Sequence, residues 1–457
     1  MPTKDNASKT YSRRRHLRGL SAAAVAALAG CSGNGGSTPS SDNGSTDGES
    51  TDGGNDSSGG QDGSIEPPVE YLTWGLGFMS DTITPWMNQY QEEYGNEATA
   101  IHKHEDPWHS LVQSRLQSNN APHALDVWSY NFQLYLDLWE ENVDRFFSDS
   151  EMDRFNQGLL ENYQYDGSYY YLPYYYQIQN TWRRTQFFEQ AGISEAPTTT
   201  DKYFDTAEKL VADSDAKYGL AHINWAFGYW TYFQAEGISM LNEDNSAAAF
   251  NEPRTVEILT RLRDLTSEGV IPELTWTERK QPMVELFGQD DLGMFIAGGA
   301  ELRLLHSTSG DAFEITPENV AITSAPGNKG LLTPTGLGVP NTLNDAEKEA
   351  GANVIKLLTS DDIMEEFIRV TTVAVGNENA MNRVLDDDSF TNDNPLLTNL
   401  WELYGDIAGD AYVAPRVESV REVWDAIHSN FQQAALGNTA PEQAVDQAEQ
   451  QVNSALN

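Results

Sequence analysis

The sequence VEYLTWGLGF (69–78), followed by EDPWHSLVQSRL (105–116), NNAP (119–122) and LDVW (125–128), decides the fold class of the chain. Branched and aromatic residues over 69–74 favour a first strand that ends in the Gly-rich loop 75–78. Asp106 and Pro107 provide a capping acid and a first-turn proline, and the apolar residues after them fall on one face of a helix. Strand, helix and strand at this spacing predict a parallel α/β unit.

Later segments repeat this alternation. Apolar stripes at helical spacing predict three core helices: Phe204, Ala207, Leu210 and Val211; Val256, Leu259, Leu262 and Leu265; and Val354, Leu357 and Leu358. Residues 320–323 and 337–340 are candidate strands, and 441–456 is expected to be a helix. A body of about 390 residues exceeds one typical core, which predicts two domains. Because no long polar linker divides it, the two lobes are expected to be built from interleaved segments.

The N-terminus carries features of an export signal. Three arginines (13–15) precede an alanine-rich run over 19–30, which is shorter than the ~20 residues of a spanning helix, so 1–30 is expected to be a cleaved signal peptide. The paired arginines are similar to a twin-arginine signal. Leu28-Ala29-Gly30-Cys31 resembles a lipobox, in which Cys31 becomes the lipidated first residue; a chance cysteine after an ordinary secretory signal is the alternative. With a single cysteine in the chain, no intrachain disulfide or thiolate metal cluster is expected.

Residues 31–65 follow as a segment rich in Ser, Gly, Thr, Asp and Asn. Since 32–64 contain no aromatic or branched aliphatic residue, we expect a disordered tether with a root-mean-square reach of ~30 Å. A merely permissive N-terminal tail is the other interpretation. The position of this segment directly after Cys31 favours the tether.

The formal net charge is −41. Nucleic-acid binding requires a basic face, so the acidic composition argues against a nucleic-acid-binding function. An acid excess spread along the whole chain is typical of a surface adapted to high salt, where screening is strong. In this respect the sequence resembles haloarchaeal exported proteins.

Short motifs follow one another in a fixed order through the body of the chain. A glycine turn at 167 precedes Leu172-Pro173, FFEQAGI (187–193) suggests a helix, and Pro197-Thr198 starts another. The remaining motifs are Ala121-Pro122 with Asp126-Val127, Phe287-Gly288 with GMFIAGG (293–299), Pro326, GLGVP (336–340), ALG (435–437) and EQA (442–444). Together they resemble the family-1 solute-binding proteins of ABC sugar importers, over essentially all of residues 66–457.

This resemblance implies a periplasmic-binding-protein-like α/β fold with two lobes, a ligand cleft between them and closure by hinge motion. We expect the N-terminal lobe to contain 66–176 and 320–373, and the C-terminal lobe 177–319 and 374–457. The chain crossings are expected near 174–179, 320–325 and 372–376. The implied partners are a sugar, the permease subunits with their ATPase, and the membrane through lipid on Cys31. A monomer without cofactor or bound metal is expected.

Two departures from the family pattern stand out. Where the family usually has Tyr-Asn-Lys, this chain has Arg183, Arg184 and Thr185. After Gly299, where maltose-binding proteins carry a ligand-stacking tryptophan, this chain has Ala300 and Glu301. We therefore expect that sugar platform to be absent or replaced, which argues mildly against a long maltodextrin.

Sugars stack their CH faces on aromatic rings and bond their hydroxyls to planar polar groups. Trp128, Tyr130 and Asn131 follow the second strand, at the end where ligands bind in open α/β sheets. Alternation along that strand leaves Trp128 equally suited to the core. Gln177 matches an acidic ligand contact of maltose-binding proteins at the first crossing, and Tyr175 is its neighbour.

Further candidates come from the second half of the chain. At least one of Trp225, Tyr229 and Trp230 is expected to line the cleft, with Trp230 the preferred candidate. Trp424 matches another aromatic position of maltose-binding proteins, although its helical spacing also suits the core. Glu301 suits either a contact to sugar hydroxyls or the capping of a helix. Asp81, after the first loop, is equally open between a binding and a structural role.

Enzyme motifs are absent from the sequence: there is no nucleophile elbow, metalloprotease His pair or Walker loop. His102 and His104 alternate as on a strand, with His109 nearby, and are better explained as the end of a surface strand than as zinc ligands. The function expected is therefore capture of a sugar and its delivery to an ABC permease. The alternatives are an exported glycan-active enzyme and a binder of a non-sugar solute on a similar scaffold.

Overall fold

The computed structural model describes residues 68–73, 77–103, 105–118, 120–128, 133–165, 167–224, 228–299, 301, 305 and 316–457, without the side chains of 77–81, 105–109 and 133–135. The expected signal peptide, Cys31 and the tether lie outside these residues. Within them, no helix has both the length and the apolar character needed to cross a membrane.

The strands divide into two main sheets and a short hairpin. The six-stranded sheet has the order β12-β6-β11-β3-β1-β2, the four-stranded sheet the order β10-β7-β9-β8, and β4 pairs with β5. In chain order the strands are β1 (Val69–Thr73), β2 (Ala98–His102), β3 (Ala124–Trp128), β4 (Gln164–Tyr165), β5 (Ser168–Tyr169), β6 (Tyr171–Ile178), β7 (Asn180–Arg184), β8 (Tyr218–His222), β9 (Leu292–Ala297), β10 (Val320–Ser324), β11 (Leu332–Gly338) and β12 (Ala374–Val375).

Helices cover both sheets. In chain order they are α1 (Gly77–Tyr94), α2 (Glu105–Gln117), α3 (Asp149–Met152), α4 (Gln157–Leu160), α5 (Thr185–Gln190), α6 (Thr200–Asp213), α7 (Thr231–Gln234), α8 (Pro253–Ser267), α9 (Leu274–Thr277), α10 (Lys280–Gly288), α11 (Asp345–Leu358), α12 (Asp361–Thr371), α13 (Glu378–Leu385), α14 (Asp388–Asp393), α15 (Pro395–Ile407), α16 (Val420–Ala435) and α17 (Pro441–Ala455). Prolines open α8, α15 and α17 at their first turn, where a missing N–H has no consequence.

The parallel α/β unit expected from residues 69–128 is confirmed, with two more elements inside it. β1 pairs in parallel with β3, and also with β2. The segment 75–78, expected as a loop, contributes its last two residues to α1. Helix α1 forms because Trp86, Met87 and Tyr90 are buried against the six-stranded sheet, and such tertiary packing stabilises helices of weak intrinsic propensity.

Two hydrophobic cores cover the sheets. The first core fills the six-stranded sheet and continues onto one face of the four-stranded sheet, and the second core covers the opposite face. Strand β9 shows the division, because Phe295 and Ala297 belong to the first core and Met294 and Ile296 to the second. Alternate residues of a strand point to opposite faces. All three predicted helical stripes pack in these cores, on α6, α8 and α11.

Three segments connect the two sheets side by side. β6 passes into β7 through Gln179, whose backbone N–H donates to the Leu331 carbonyl at 3.0 Å. Residues 325–331 return from β10 to β11. Beyond α15, the Tyr412 N–H donates to the Gly330 carbonyl at 3.1 Å, and the Tyr412 carbonyl accepts from the Leu332 N–H at 2.7 Å. Tyr412 therefore marks the third crossing.

The strand pairing corrects two expected boundaries. Residues 320–324, expected in the N-terminal lobe, form β10 and pair with β7 in the four-stranded sheet. Residues 374–375, expected at the third crossing and in the C-terminal lobe, form β12 and pair with β6 in the six-stranded sheet. A Cβ on Gly376 would lie 2.3 Å from Pro173 Cβ. This glycine permits close packing on β6 and does not mark a crossing.

Candidate functional site

The candidate site lies where the crossings meet the carboxyl ends of two parallel strands. β8 and β9 are parallel neighbours that end at His222 and Ala297. In open α/β sheets, ligands bind outside the carboxyl ends of the strands. The first crossing reaches the same place, since a Cβ on Gly228 would lie 2.7 Å from Gln179 Nε2 and 2.7 Å from the Ile223 carbonyl oxygen.

Gln177 and Glu301, predicted site residues from different parts of the chain, come together at Gly298. A Cβ on this glycine would lie 2.6 Å from Gln177 Oε1 and 3.1 Å from Glu301 Oε2. Gln177 is half-buried on β6, whereas Glu301 follows β9. The turn after β9 therefore accommodates both polar side chains only because residue 298 has no side chain.

Hydrogen bonds hold this turn in place. Glu301 is 5% exposed, and its carboxylate accepts from the Gly298 N–H at 2.9 Å and from Lys280 Nζ at 3.2 Å. The Tyr404 hydroxyl oxygen of α15 accepts from the Gly299 N–H at 3.1 Å. Glu301 thus accepts one backbone N–H of this turn, and its contact to sugar hydroxyls stays a prediction.

Gln179 is a polar residue that no sequence motif marks as a site residue. Its side chain is 3% exposed, and neither amide atom has a hydrogen-bond partner among the described residues. Most buried polar side-chain atoms are hydrogen-bonded, so such an exception calls for an explanation. The available signal was the pattern of two glutamines at 177 and 179, spaced as alternate residues of an extended segment.

An aromatic cluster adjoins the end of β8. It consists of His222, Tyr229, Trp276, Trp424 and His428. The Tyr229 ring lies 5.7 Å from His222, 5.7 Å from Trp276, 5.6 Å from Trp424 and 5.9 Å from His428, measured between ring centroids. Trp424 and His428 stack at 4.7 Å with planes 16° apart. Tyr229 and Trp424, both predicted, are thereby brought together, and His222, Trp276 and His428 are additional.

Burial keeps the polar groups of this cluster uncharged. It lowers the pKa of His222 to about 3, with a further contribution from His428, and the pKa of His428 to about 4. Burial also raises the pKa of the Tyr229 hydroxyl well above its usual value. Each neutral imidazole has one donor and one acceptor nitrogen, and the phenol can both donate and accept.

Several other predicted residues fall elsewhere. Trp230 is fully buried in the second core, where its ring stacks on Phe233 at 4.8 Å and its indole N–H donates to the Ile238 carbonyl at 3.2 Å. The preferred cleft tryptophan is thus placed in the core, because Phe233 of α7, Phe431 of α16 and Phe250, which precedes α8, surround it. Tyr175 is buried in the first core beside Phe367, at 5.8 Å.

The remaining predicted residues are only partly described. Trp128 is half-buried at the end of β3, opposite Thr335 of β11. Asp81 lies in α1, and its side chain is outside the described part. Tyr130, Asn131 and Trp225 fall wholly outside the described residues. His102 ends β2, and His104 is not described.

Among the described residues, no cluster of three or more His, Cys, Asp or Glu could hold a metal ion. A polar cavity of about 520 Å³ lies away from the candidate site, between α1, α3 and the start of α12. Its charges are paired with one another, as in Arg383 with Asp361 and Asp362 and Lys356 with Glu151.

A sequence model of the family described as bacterial extracellular solute-binding protein matches residues 86–399. The chain belongs to this family. Such solute-binding proteins act outside the cytoplasm. Among curated relatives, a binding protein of Brucella abortus is 21% identical over 367 residues, which are 77% of this chain and 84% of the relative. A maltotriose-binding protein of Pyrococcus abyssi is 22% identical over 290 residues, 63% of this chain and 59% of the relative.

Several solved structures share the fold of this solute-binding protein. An ABC transporter solute-binding protein from Thermotoga lettingae, bound with α-D-tagatose, superimposes with a TM-score of 0.71 at 18% identity and covers 85% of this chain and 99% of that one. A maltose-bound protein of Thermotoga maritima superimposes with a TM-score of 0.69 at 19% identity and covers 84% of this chain and 99% of that one. An oligosaccharide-binding protein of Synechococcus superimposes with a TM-score of 0.74 at 18% identity and covers 85% of this chain and 99% of that one.

Proposed function

We propose that this solute-binding protein captures a monosaccharide or oligosaccharide and delivers it to the permease subunits of an ABC importer, whose ATPase drives uptake. The observation that carries the proposal is Gln179, a buried amide without a hydrogen-bond partner in the described part of the chain, at the junction of the two sheets. Family membership and the sugars bound by the similar proteins support it.

The chemistry of Gln179 suits sugar hydroxyls. An amide offers an oxygen acceptor and two N–H donors in one plane, which matches two neighbouring hydroxyl groups. A buried polar group left unpaired costs about 1–3 kcal/mol. A ligand that bonds to Gln179 recovers this free energy, so binding and the unusual burial of the amide are explained together.

The three adjacent crossings suit hinge closure. The segment 325–331 is bonded to both other crossings, because the Leu331 carbonyl accepts from the Gln179 N–H and the Gly330 carbonyl accepts from the Tyr412 N–H. Each of these segments leads from one sheet to the other. In two-lobed binding proteins, a few residues at element ends absorb the rotation that closes the lobes on a ligand. The crossings of this chain have that position.

The cellular setting is a further part of the proposal. A twin-arginine signal would export the chain, lipid on Cys31 would anchor it, and residues 31–65 would hold the monomeric receptor away from the membrane of a cell living in high salt. The acidic composition and the lipobox-like Leu28-Ala29-Gly30-Cys31 support this setting. Cys31→Ala should release the protein into the medium, and mass spectrometry should detect lipid only on the wild-type mature chain.

The test of function is calorimetric titration of the purified full chain in concentrated KCl with maltose, maltotriose and D-tagatose. We expect at least one to bind, with a smaller radius of gyration in small-angle scattering and with the sugar recovered unchanged. Release of a product would support a glycan-active enzyme instead. Failure of all three, together with a retained non-sugar solute in native mass spectrometry, would overturn the sugar assignment.

A further inference from the structure

We propose that the His222, Tyr229 and His428 side chains form a subsite for the hydroxyl groups of an uncharged sugar ring. This inference rests on the proposed function and specifies the class of ligand. The three residues come from separate segments: the end of β8, the segment after it and α16. Trp424, which is half-buried and stacks on His428, lies beside them.

Unpaired polar atoms gather at this position. His222 Nε2, the Tyr229 hydroxyl and His428 Nδ1 are buried and lack hydrogen-bond partners among the described residues. Asn224 Oδ1 and Thr275 Oγ1, on segments adjacent to the same cluster, are also unpaired in the described structure. Tyr229 is the common neighbour, with the two imidazole rings 5.7 and 5.9 Å from its own ring.

Neighbouring polar groups in the same region do find partners. The Trp276 indole N–H donates to Thr266 Oγ1 at 3.0 Å, and Asn224 Nδ2 donates to the Trp276 carbonyl at 2.7 Å. The local packing therefore does provide hydrogen-bond partners for other buried polar groups of this region. Several unpaired atoms around one ring therefore indicate groups reserved for a bound molecule.

The charge state of the rings determines which ligand suits them. Both imidazoles stay neutral because burial lowers their pKa values, to about 3 for His222 and about 4 for His428. Neutral rings offer donors and acceptors in equal number, which suits hydroxyl groups. Neither ring supplies the positive charge that would compensate the carboxylate of a uronic acid.

The experiment compares Tyr229→Phe with Tyr174→Phe. Both hydroxyls are buried without partners in the described part of the molecule, but Tyr174 lies on β6 in the first core. Calorimetry of the full chain in concentrated KCl would use maltose, maltotriose, D-tagatose and D-galacturonate. For whichever neutral sugar binds, Tyr229→Phe should weaken affinity about tenfold, the loss expected for one hydrogen bond, while the stability of the ligand-free protein is unchanged or higher.

His428→Phe, which keeps an aromatic ring against Trp424, should weaken the same affinity by a similar factor. Tyr174→Phe should leave it unchanged. Wild-type affinity in both Tyr229→Phe and His428→Phe would assign the unpaired atoms to buried water and overturn the subsite while sugar binding stands. Binding of D-galacturonate as tight as that of the neutral sugars would overturn the uncharged ligand class. Failure of all four compounds to bind, together with a retained non-sugar solute in native mass spectrometry, would overturn the proposed function, and this subsite with it.

Discussion

Gln177 on β6 and Glu301 after β9 meet at Gly298, where a Cβ would lie 2.6 Å from the amide oxygen of Gln177 and 3.1 Å from the carboxylate of Glu301. The contact joins a strand of the six-stranded sheet to the end of a strand of the four-stranded sheet. Side-chain packing at the turn 298–299 therefore couples the six-stranded sheet to the four-stranded sheet.

Gly298→Ala should destabilise the protein by about 1–3 kcal/mol, since the added methyl group overpacks the contact between Gln177 and Glu301. Thermal and denaturant unfolding in concentrated KCl measure this change. Gly405→Ala on α15 is the matched control, because nothing lies within 4 Å of its Cβ position, and alanine should stabilise that helix by about 0.5–1 kcal/mol. Equal effects of the two substitutions would contradict the packing argument.

Replacement of Glu301 should show that its acceptor oxygens hold the turn. Glu301→Ala leaves the Gly298 N–H without its acceptor and Lys280 without its partner, which should cost about 1–3 kcal/mol in the free energy of unfolding. Glu301→Gln keeps an acceptor and should cost less. If both variants unfold at the same denaturant concentration, the bond to Gly298 has no role in stability.

Trp230→Ala should cost about 3–5 kcal/mol, because it removes a large side chain from the second core. Trp424 is only half-buried, so Trp424→Ala should cost clearly less. Sequence alone favoured Trp230 as a ligand contact, for which little loss of stability would be expected. Unfolding measured by circular dichroism distinguishes a core role of Trp230 from a ligand-contact role. A near wild-type unfolding midpoint for Trp230→Ala would contradict its burial in the core.

Gln179→Met should separate binding from stability. Methionine has a similar shape and removes a buried amide that lacks partners within the described chain, so the free energy of unfolding should stay the same or rise by up to about 1 kcal/mol. Ligand affinity, measured by calorimetry, should fall about tenfold. Lower stability with unchanged affinity would indicate that the amide serves the fold.

Acidification should destabilise the protein partly through His222. Its folded-state pKa of about 3 lies below the ordinary value of 6.5, so the unfolded chain binds an extra proton at intermediate pH. Stability from this group is therefore complete above pH 6.5 and is lost as the pH falls towards 3. His222→Phe should flatten the dependence of the unfolding free energy on pH in this window.

The comparison with wild type should be made from pH 7 to 4, since carboxylates and His428 contribute to both proteins. An identical slope in His222→Phe and wild type would contradict the buried neutral imidazole.

Sequence patterns predicted the α/β class because a strand, helix and strand are recognisable from local side-chain periodicity over 69–128. They did not reveal α1, which begins at Gly77 and contains Pro85. Its residues are poor helix formers, and the helix depends on burial of Trp86 and Tyr90. The sequence likewise favoured Trp230 as a ligand contact and allowed Trp424 in the core, and only packing shows that Trp230 is fully buried and Trp424 half-buried.

The sequence by itself determined the first parallel α/β unit, the three core helices, the acidic character of the chain and the order of motifs that predicted its family, because each depends on residues near one another along the chain. Tertiary structure decided which residues meet: Gln177 with Glu301 at Gly298, and Tyr229 with His222 and His428. These contacts join segments far apart in sequence. The unpaired atoms of Tyr229, His222 and His428 within the described structure arise from burial, which local sequence does not specify.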